Sequence, residues 1–204
     1  MTLLIKLRTE KEARLKGGLY HQTQIRFCYS SNYIEGSRLS EEQTRYIFET
    51  NTINTKANET ANIDDIIEAV NHFACFDFML DTADKPLSEN IIKDFHHILK
   101  SNTSDSKKDW FNVGDYKSKA NMVGDSITTD PKYVQKEIAD LLSGYLDKET
   151  INLEDICSFH YRFEKIHPFQ DGNGRVGRII MFKECLKNNI MPFIIDEEHK
   201  SFYY

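Results

Sequence analysis

The twelve residues 167–178, HPFQDGNGRVGR, concentrate groups suited to phosphate chemistry. His167 is a candidate general base, since an imidazole with a pKa of about 6.5 exchanges a proton readily at neutral pH. Pro168 disfavours helical geometry in the residue before it, so a helix that stops at His167 would present the ring on a loop. Gly172, Asn173 and Gly174 permit a tight turn with exposed backbone amides. The following RVGRIIMFKECLKNN reads as a helix that buries Ile179, Ile180, Phe182, Cys185 and Leu186. A loop feeding a helix N-terminus binds anions, because the first amides are unpaired and the dipole is positive there. Arg175 and Arg178 fall in the first turns of this helix, where cations are disfavoured, and their spacing puts them on one face. Two cations so placed imply a polyanion between them, and the guanidinium fork suits the oxygens of a di- or triphosphate. Asp171, just upstream, is placed to hold Mg²⁺ against the same phosphates.

Gly172, Gly174 and Gly177 also satisfy GxGxxG, and Asp196 lies about twenty residues on, the spacing of a dinucleotide-binding unit. Context rejects that reading. The unit needs a strand before the glycines and parallel strands around them, whereas DICSFHYRFEKI has a helical period. A second oddity stands far upstream in SSNYIEG, residues 30–36. Glu35 directly precedes Gly36 at what reads as a helix end, where a negative charge is least welcome.

The elements that must position these groups read as helices. Ser40 and Gln43 form a capping box, and Ser88 caps LSENIIKDFHHILK. Residues 61–80 place Ile63, Ile66, Ile67, Val70, Phe73 and Ala74 at helical spacing, which predicts a core-facing stripe. Asp130 and Pro131 open a helix burying Val134, Ile138, Leu141 and Leu142, and Asn152 opens one burying Ile156, Phe159 and Phe163. Only residues 113–128 resist, with glycine and aspartate punctuation and a weak alternation that predicts a short β-hairpin or extended flap. The expected fold is all-α with one strand pair.

At 204 residues and 40 % hydrophobic content, the chain can build one domain with a substantial core. A net charge of −6 argues against a generic grip on nucleic acid or an anionic membrane. The cysteines Cys28, Cys75, Cys157 and Cys185 are widely spaced, which predicts reduced core thiols. His96 and His97 point to different helix faces and make a poor metal site. The N-terminal apolar run is too short for a signal peptide or a membrane span, so the expected location is cytoplasmic.

The stretch 167–178 resembles the signature of the Fic family, H-x-F-x-(D/E)-G-N-G-R-x-x-R, at His167, Phe169, Asp171, Gly172, Asn173, Gly174, Arg175 and Arg178. GDYKSKANMVGDSI resembles the family's flap, and the C-terminal SFYY the region that packs on adenine. The resemblance implies the all-α Fic fold with a hairpin. It implies a helical lead-in over 1–24 and a Fic domain over 25–204, with an inhibitory helix near 25–36, a flap near 116–128 and an active-site loop at 167–178. The implied reaction is protein adenylylation, in which a Ser, Thr or Tyr hydroxyl of a target protein, or of the chain itself, attacks the α-phosphate of ATP. His167 would be the base and Asp171 the ligand of Mg²⁺ or Mn²⁺. Gly172, Asn173 and Gly174 would cradle the phosphates, Arg175 and Arg178 would hold the β- and γ-phosphates, and Tyr203 and Tyr204 would lie near the base. Lys119, Ala120, Asn121, Met122 and Val123 would dock the target by strand addition. SNYIEG also matches the family's inhibitory pattern (S/T)-x-x-x-E-(G/N) at Ser31, Glu35 and Gly36, with Glu35 pairing Arg178 in place of the γ-phosphate.

Other outcomes stay open at this point. The same fold could transfer UMP, phosphocholine or phosphate, or remove AMP, and a second copy of the chain could be a partner. A different class is an idle nucleotide-binding sensor, which retention of both His167 and Asp171 disfavours.

Overall fold

The computed structural model describes residues 1–55, 60–124 and 126–196. The described helices are α1 (Leu3–Glu12), α2 (Leu19–Ile34), α3 (Glu41–Thr50), α4 (Ile63–Thr82), α5 (Glu89–Lys100), α6 (Pro131–Leu146), α7 (Leu153–Ile166) and α8 (Asn173–Lys187). A strand pair, β1 (Met122–Val123) and β2 (Ser126–Ile127), lies between α5 and α6 and pairs antiparallel with Met122 opposite Ile127. The expected all-α architecture with one hairpin is therefore present.

Local sequence signals set the helix starts. Ser40 accepts from the Gln43 amide while the Gln43 side chain accepts from the Ser40 amide, completing the capping box. Ser88, Asp130 followed by Pro131, and Asn152 cap α5, α6 and α7 as their sequences predict. The stripe predicted for α4 needs correction: Ile63 and Val70 are exposed, and Phe73 alone of the six named residues is buried. The core-facing stripe is instead Ala69, His72, Phe73, Cys75, Phe76, Met79 and Leu80, on the side of the helix opposite Ile63, Ile67, Val70 and Ala74, because α4 carries apolar residues on both sides and its neighbours cover only one. Cys157 is likewise exposed, whereas Cys28, Cys75 and Cys185 are buried thiols. α2 runs unbroken through residues 24 and 25, so the boundary expected there does not separate two elements.

α8 is the central helix. Every residue from Asn173 to Leu186 is buried, and it packs against α1, α2, α4, α5 and α7. A helix enclosed on all sides is a core helix, so its polar side chains must find partners inside the protein. Lys183 does so through the Lys85 carbonyl at 2.7 Å and Glu184 at 2.8 Å, and Tyr145 donates to Glu184 at 3.1 Å.

Aromatic packing seats α2 on this core. Phe27 stacks on Phe182 of α8 with centroids 5.1 Å apart and meets Phe76 of α4 at 6.0 Å. Gln24 adds polar registry by donating to the Phe73 carbonyl at 3.3 Å and to Asp77 at 3.0 Å. The C-terminal end of α2, with Glu35, is thereby carried to the start of α8. Phe76 is fully buried where these three helices meet. Phe76→Ala should lower the unfolding free energy by about 3–5 kcal/mol, measured by urea denaturation.

Candidate active site

α7 ends as Pro168 requires. His167 takes a left-handed conformation (φ 51°) and its amide donates to the Phe163 carbonyl at 2.9 Å. The ring Nδ1 lies 3.3 Å from the Glu164 carbonyl oxygen. A carbonyl only accepts, so Nδ1 carries the proton and Nε2 keeps its lone pair, the tautomer a base needs. Burial, and then the Lys117 ammonium, push the His167 pKa below its ordinary value against the pull of the Glu164 carbonyl, so the ring is neutral at pH 7.

The loop after His167 is held from within. Phe169 is fully buried, and its ring lies flat on His96 with centroids 4.0 Å apart. The Phe169 amide donates to Asn173 Oδ1 and Asn173 Nδ2 donates to the Phe169 carbonyl, both at 2.8 Å. Asn173 thus clamps the loop with its side chain. Gly172 forms the N-cap of α8 at φ 81°, a conformation that strains other residues. A Cβ on Gly174 would collide with Glu35 Oε1, so the glycine lets that carboxylate lie against the start of the helix.

The flap is stitched to this loop rather than free of it. The Lys117 amide donates to the Pro168 carbonyl at 2.9 Å, and Asn121 Nδ2 donates to the Phe169 carbonyl at 3.0 Å. Lys117 Nζ, in a buried side chain, reaches Asn121 Oδ1 and Thr128 Oγ1 at 2.7 Å each and the Ile166 carbonyl at 3.3 Å. Burial pulls the Lys117 pKa down to about 8. Of the five flap residues named from sequence, Asn121 faces inward as an anchor. Lys119, Ala120, Met122 and Val123 are exposed, with Lys119 Nζ 4.2 Å from the Trp110 ring centroid.

Both arginines are buried and already engaged: the Arg178–Glu35 contact expected from SNYIEG is present, whereas Arg175, expected to meet only phosphate, is met by Glu68 and Asp171. Arg178 Nε donates to Ser31 Oγ at 3.0 Å, and its NH2 donates to the Ser31 carbonyl at 2.9 Å and to Glu35 Oε1 at 2.6 Å. Glu35 and Gly36 form the end of α2, with Gly36 at φ 97°. Arg175 pairs with Glu68 of α4 and reaches Asp171 at 3.2 Å. Burial works to raise the Asp171 pKa, but Arg175 and Lys100 beside it prevail and hold the carboxyl well below its usual range. Glu68, Lys100 and Lys117 carry no mark of this site in the sequence. Lys100 ends α5, where a cation is ordinary, and Glu68 reads as part of a solvated face.

Tyr203 and Tyr204 lie outside the described residues. His96 and His160 are core histidines, with burial lowering their pKa values to about 3 and about 4. Among the described residues, no group of three or more potential ligands could cage a metal. Mg²⁺ does not need one, since it usually takes one or two carboxylates and completes its shell with phosphate oxygens and water. Asp171 fits that mode, being ionised and 43 % exposed. Among the described residues, no helix is long and apolar enough to cross a membrane.

Residues 86–185 match the Fic/DOC family. This segment is a Fic domain. The surrounding fold agrees: a Fic domain containing signaling protein from Bacteroides thetaiotaomicron superposes with a TM-score of 0.77 at 23 % identity, covering 98 % of this chain and 78 % of that one. A Fic family protein from Desulfovibrio desulfuricans gives 0.68 at 27 % identity over 88 % and 54 %. Among curated relatives, protein adenylyltransferase fic-1 of Caenorhabditis briggsae is 26 % identical over 194 residues, covering 91 % of this chain and 36 % of the relative. A probable protein adenylyltransferase of Aquifex aeolicus is 38 % identical over 85 residues, 40 % of this chain and 27 % of that relative. The chain therefore spans about a third of these relatives' length. The matched segment takes in α5, the flap, the loop and α8 as far as Cys185, while Ser31, Glu35 and Glu68 lie N-terminal to it.

The electrostatics of the Fic loop can be checked without turnover. An NMR titration of His167 should give a pKa below about 6.5. Lys117→Met, which removes a cation acting on the ring, should raise that value toward the ordinary one.

Proposed function

We propose that this chain is a protein adenylyltransferase whose activity is restrained by its own α2. ATP is the co-substrate and a protein hydroxyl the acceptor, a Ser, Thr or Tyr side chain of a target or of the chain itself. The hydroxyl oxygen attacks the α-phosphorus of ATP, His167 Nε2 takes the hydroxyl proton, and the bond to pyrophosphate breaks. The target keeps AMP through a phosphoester. The relatives named as adenylyltransferases support this reaction class. The observation that carries it is a neutral histidine with its acceptor nitrogen kept open, beside a glycine loop and a helix start lined by two arginines.

Each residue has a task that follows from its chemistry. The Gly172 to Gly174 turn and the first amides of α8 bind phosphate oxygens, and Arg175 and Arg178 neutralise charge on the leaving pyrophosphate. Asp171 would hold Mg²⁺, which when bound supplies further charge neutralisation on the phosphates. The exposed edge of β1 would accept a target segment by backbone pairing, which leaves the acceptor's sequence loosely specified.

The restraint is competition. Glu35 occupies Arg178 at 2.6 Å and crowds Gly174, where a phosphate would need both. Ser31 strengthens the hold by accepting twice from the same guanidinium. An added barrier of about 3 kcal/mol slows transfer roughly a hundredfold.

Glu35→Gly should raise incorporation of labelled AMP from Mg·ATP by about that factor, seen as a mass gain of one AMP on the intact chain. Equal labelling of both forms would remove Glu35 from the role. Without nucleotide, Glu35→Gly should also melt earlier, because Arg178 stays buried with a partner removed, and Mg·ATP should restore much of the loss. In the Glu35→Gly background, His167→Ala should cut transfer by about 10²–10⁴-fold while nucleotide binding persists.

A further inference from the structure

Beneath the loop, side chains from α4, α5 and α8 close a circuit of alternating charge. Lys100 Nζ donates to Glu68 Oε1 at 2.5 Å and to Asp171 Oδ2 at 2.6 Å. Arg175 takes the other oxygen of Glu68 through NH1 and reaches Asp171 Oδ2 through NH2 at 3.2 Å. Two cations and two carboxylates thus share four contacts, with Asp105 a further 3.8 Å from Lys100. Side-chain exposure is 2 % for Lys100, 4 % for Arg175 and 14 % for Glu68, against 43 % for Asp171. Lys100 and Arg175 are closed to water, Glu68 is largely covered, and Asp171 opens on the loop.

Such a ring is a poor device for stability alone, because desolvating four charges offsets most of their attraction and apolar residues of similar volume would serve as well. What it supplies is orientation. Lys100 and Arg175 converge on one oxygen of Asp171, which fixes the rotation of that carboxylate. Glu68, itself anchored by Lys100, fixes the plane of the Arg175 guanidinium. Outer partners of this kind commonly govern how well an inner ligand performs.

We infer that Lys100 and Glu68 are positioning residues of the nucleotide site, setting Asp171 and Arg175 in their working geometry before Mg·nucleotide arrives. The inference rests on the proposed reading of the loop as a nucleotide site. Glu68 differs in kind from Glu35. Glu35 crowds Gly174 at the start of α8 from the very end of α2, whereas Glu68 pairs with Arg175 and is tied to a second cation, Lys100. Removing a blocker improves nucleotide binding, and removing a positioning residue impairs it.

The test measures binding of ATP by calorimetry to the full chain in the Glu35→Gly background, with Mg²⁺ and with EDTA. Lys100→Met should weaken Mg·ATP binding by about 10–100-fold and metal-free ATP binding by far less. Lys100→Arg should recover most of the loss, and Glu68→Gln should weaken Mg·ATP binding in the same direction. Unchanged affinity, equal losses with and without Mg²⁺, or tighter binding in any of these variants would overturn the inference. Should Lys100→Met not fold, as judged by its melting curve, the charge-balanced Lys100→Met/Glu68→Gln pair replaces it under the same criteria. Absence of AMP transfer by the Glu35→Gly parent would overturn the adenylyltransferase reading instead, and the binding comparison would still report on the ring.

Discussion

Arg175 and Arg178 enter the first turns of a helix that is buried on every side, at the positive end of its dipole. Two guanidinium groups cannot stay there unless anions come to meet them, and most of what surrounds the loop follows from that demand. α2 brings Glu35 and Ser31 to one, and α4 brings Glu68 to the other. These internal carboxylates balance the two guanidinium charges, so the protein can fold and keep α8 buried before any ligand binds.

The same demand explains the packing around α2. Its docking relies on Phe27 against Phe182 and Phe76, and on Gln24 against α4, so the helix bearing Glu35 is part of the core and not a loose tether. Glu35 itself sits at the last turn, beside Gly36 and next to the glycine at Gly174. The contact is therefore placed where a small displacement of a helix end could alter it while Phe27 keeps the rest of α2 seated.

The histidine is controlled through backbone geometry. At the left-handed C-cap of α7 the His167 ring Nδ1 meets the Glu164 carbonyl, which selects the tautomer. Lys117 and Asn121 then fasten the flap to the carbonyls of Ile166, Pro168 and Phe169, so the flap is tied to the loop that carries His167. Fixing these distances matters because positioning and charge stabilisation dominate phosphoryl-type chemistry.

Local chemistry wrote much of this into the sequence. Helix caps at Ser40, Ser88, Asp130 and Asn152, the break at Pro168, the glycine turn and the hairpin punctuation each act within a few residues, so they could be read without a fold. The identity of the loop was legible for the same reason, as its base, carboxylate, glycines and arginines are contiguous. What only the tertiary structure decided is which distant charge meets which. Glu68 and Lys100 lie 32 residues apart in the chain and converge on residues near 175, and Lys117 reaches back to a carbonyl 49 positions away. Such groups look like solvated surface in one dimension, because an isolated Glu or Lys on a helix carries no local mark of burial. The α4 stripe differs on the same ground: the helix is apolar on more than one face, and only the neighbouring helices decide which face the core takes.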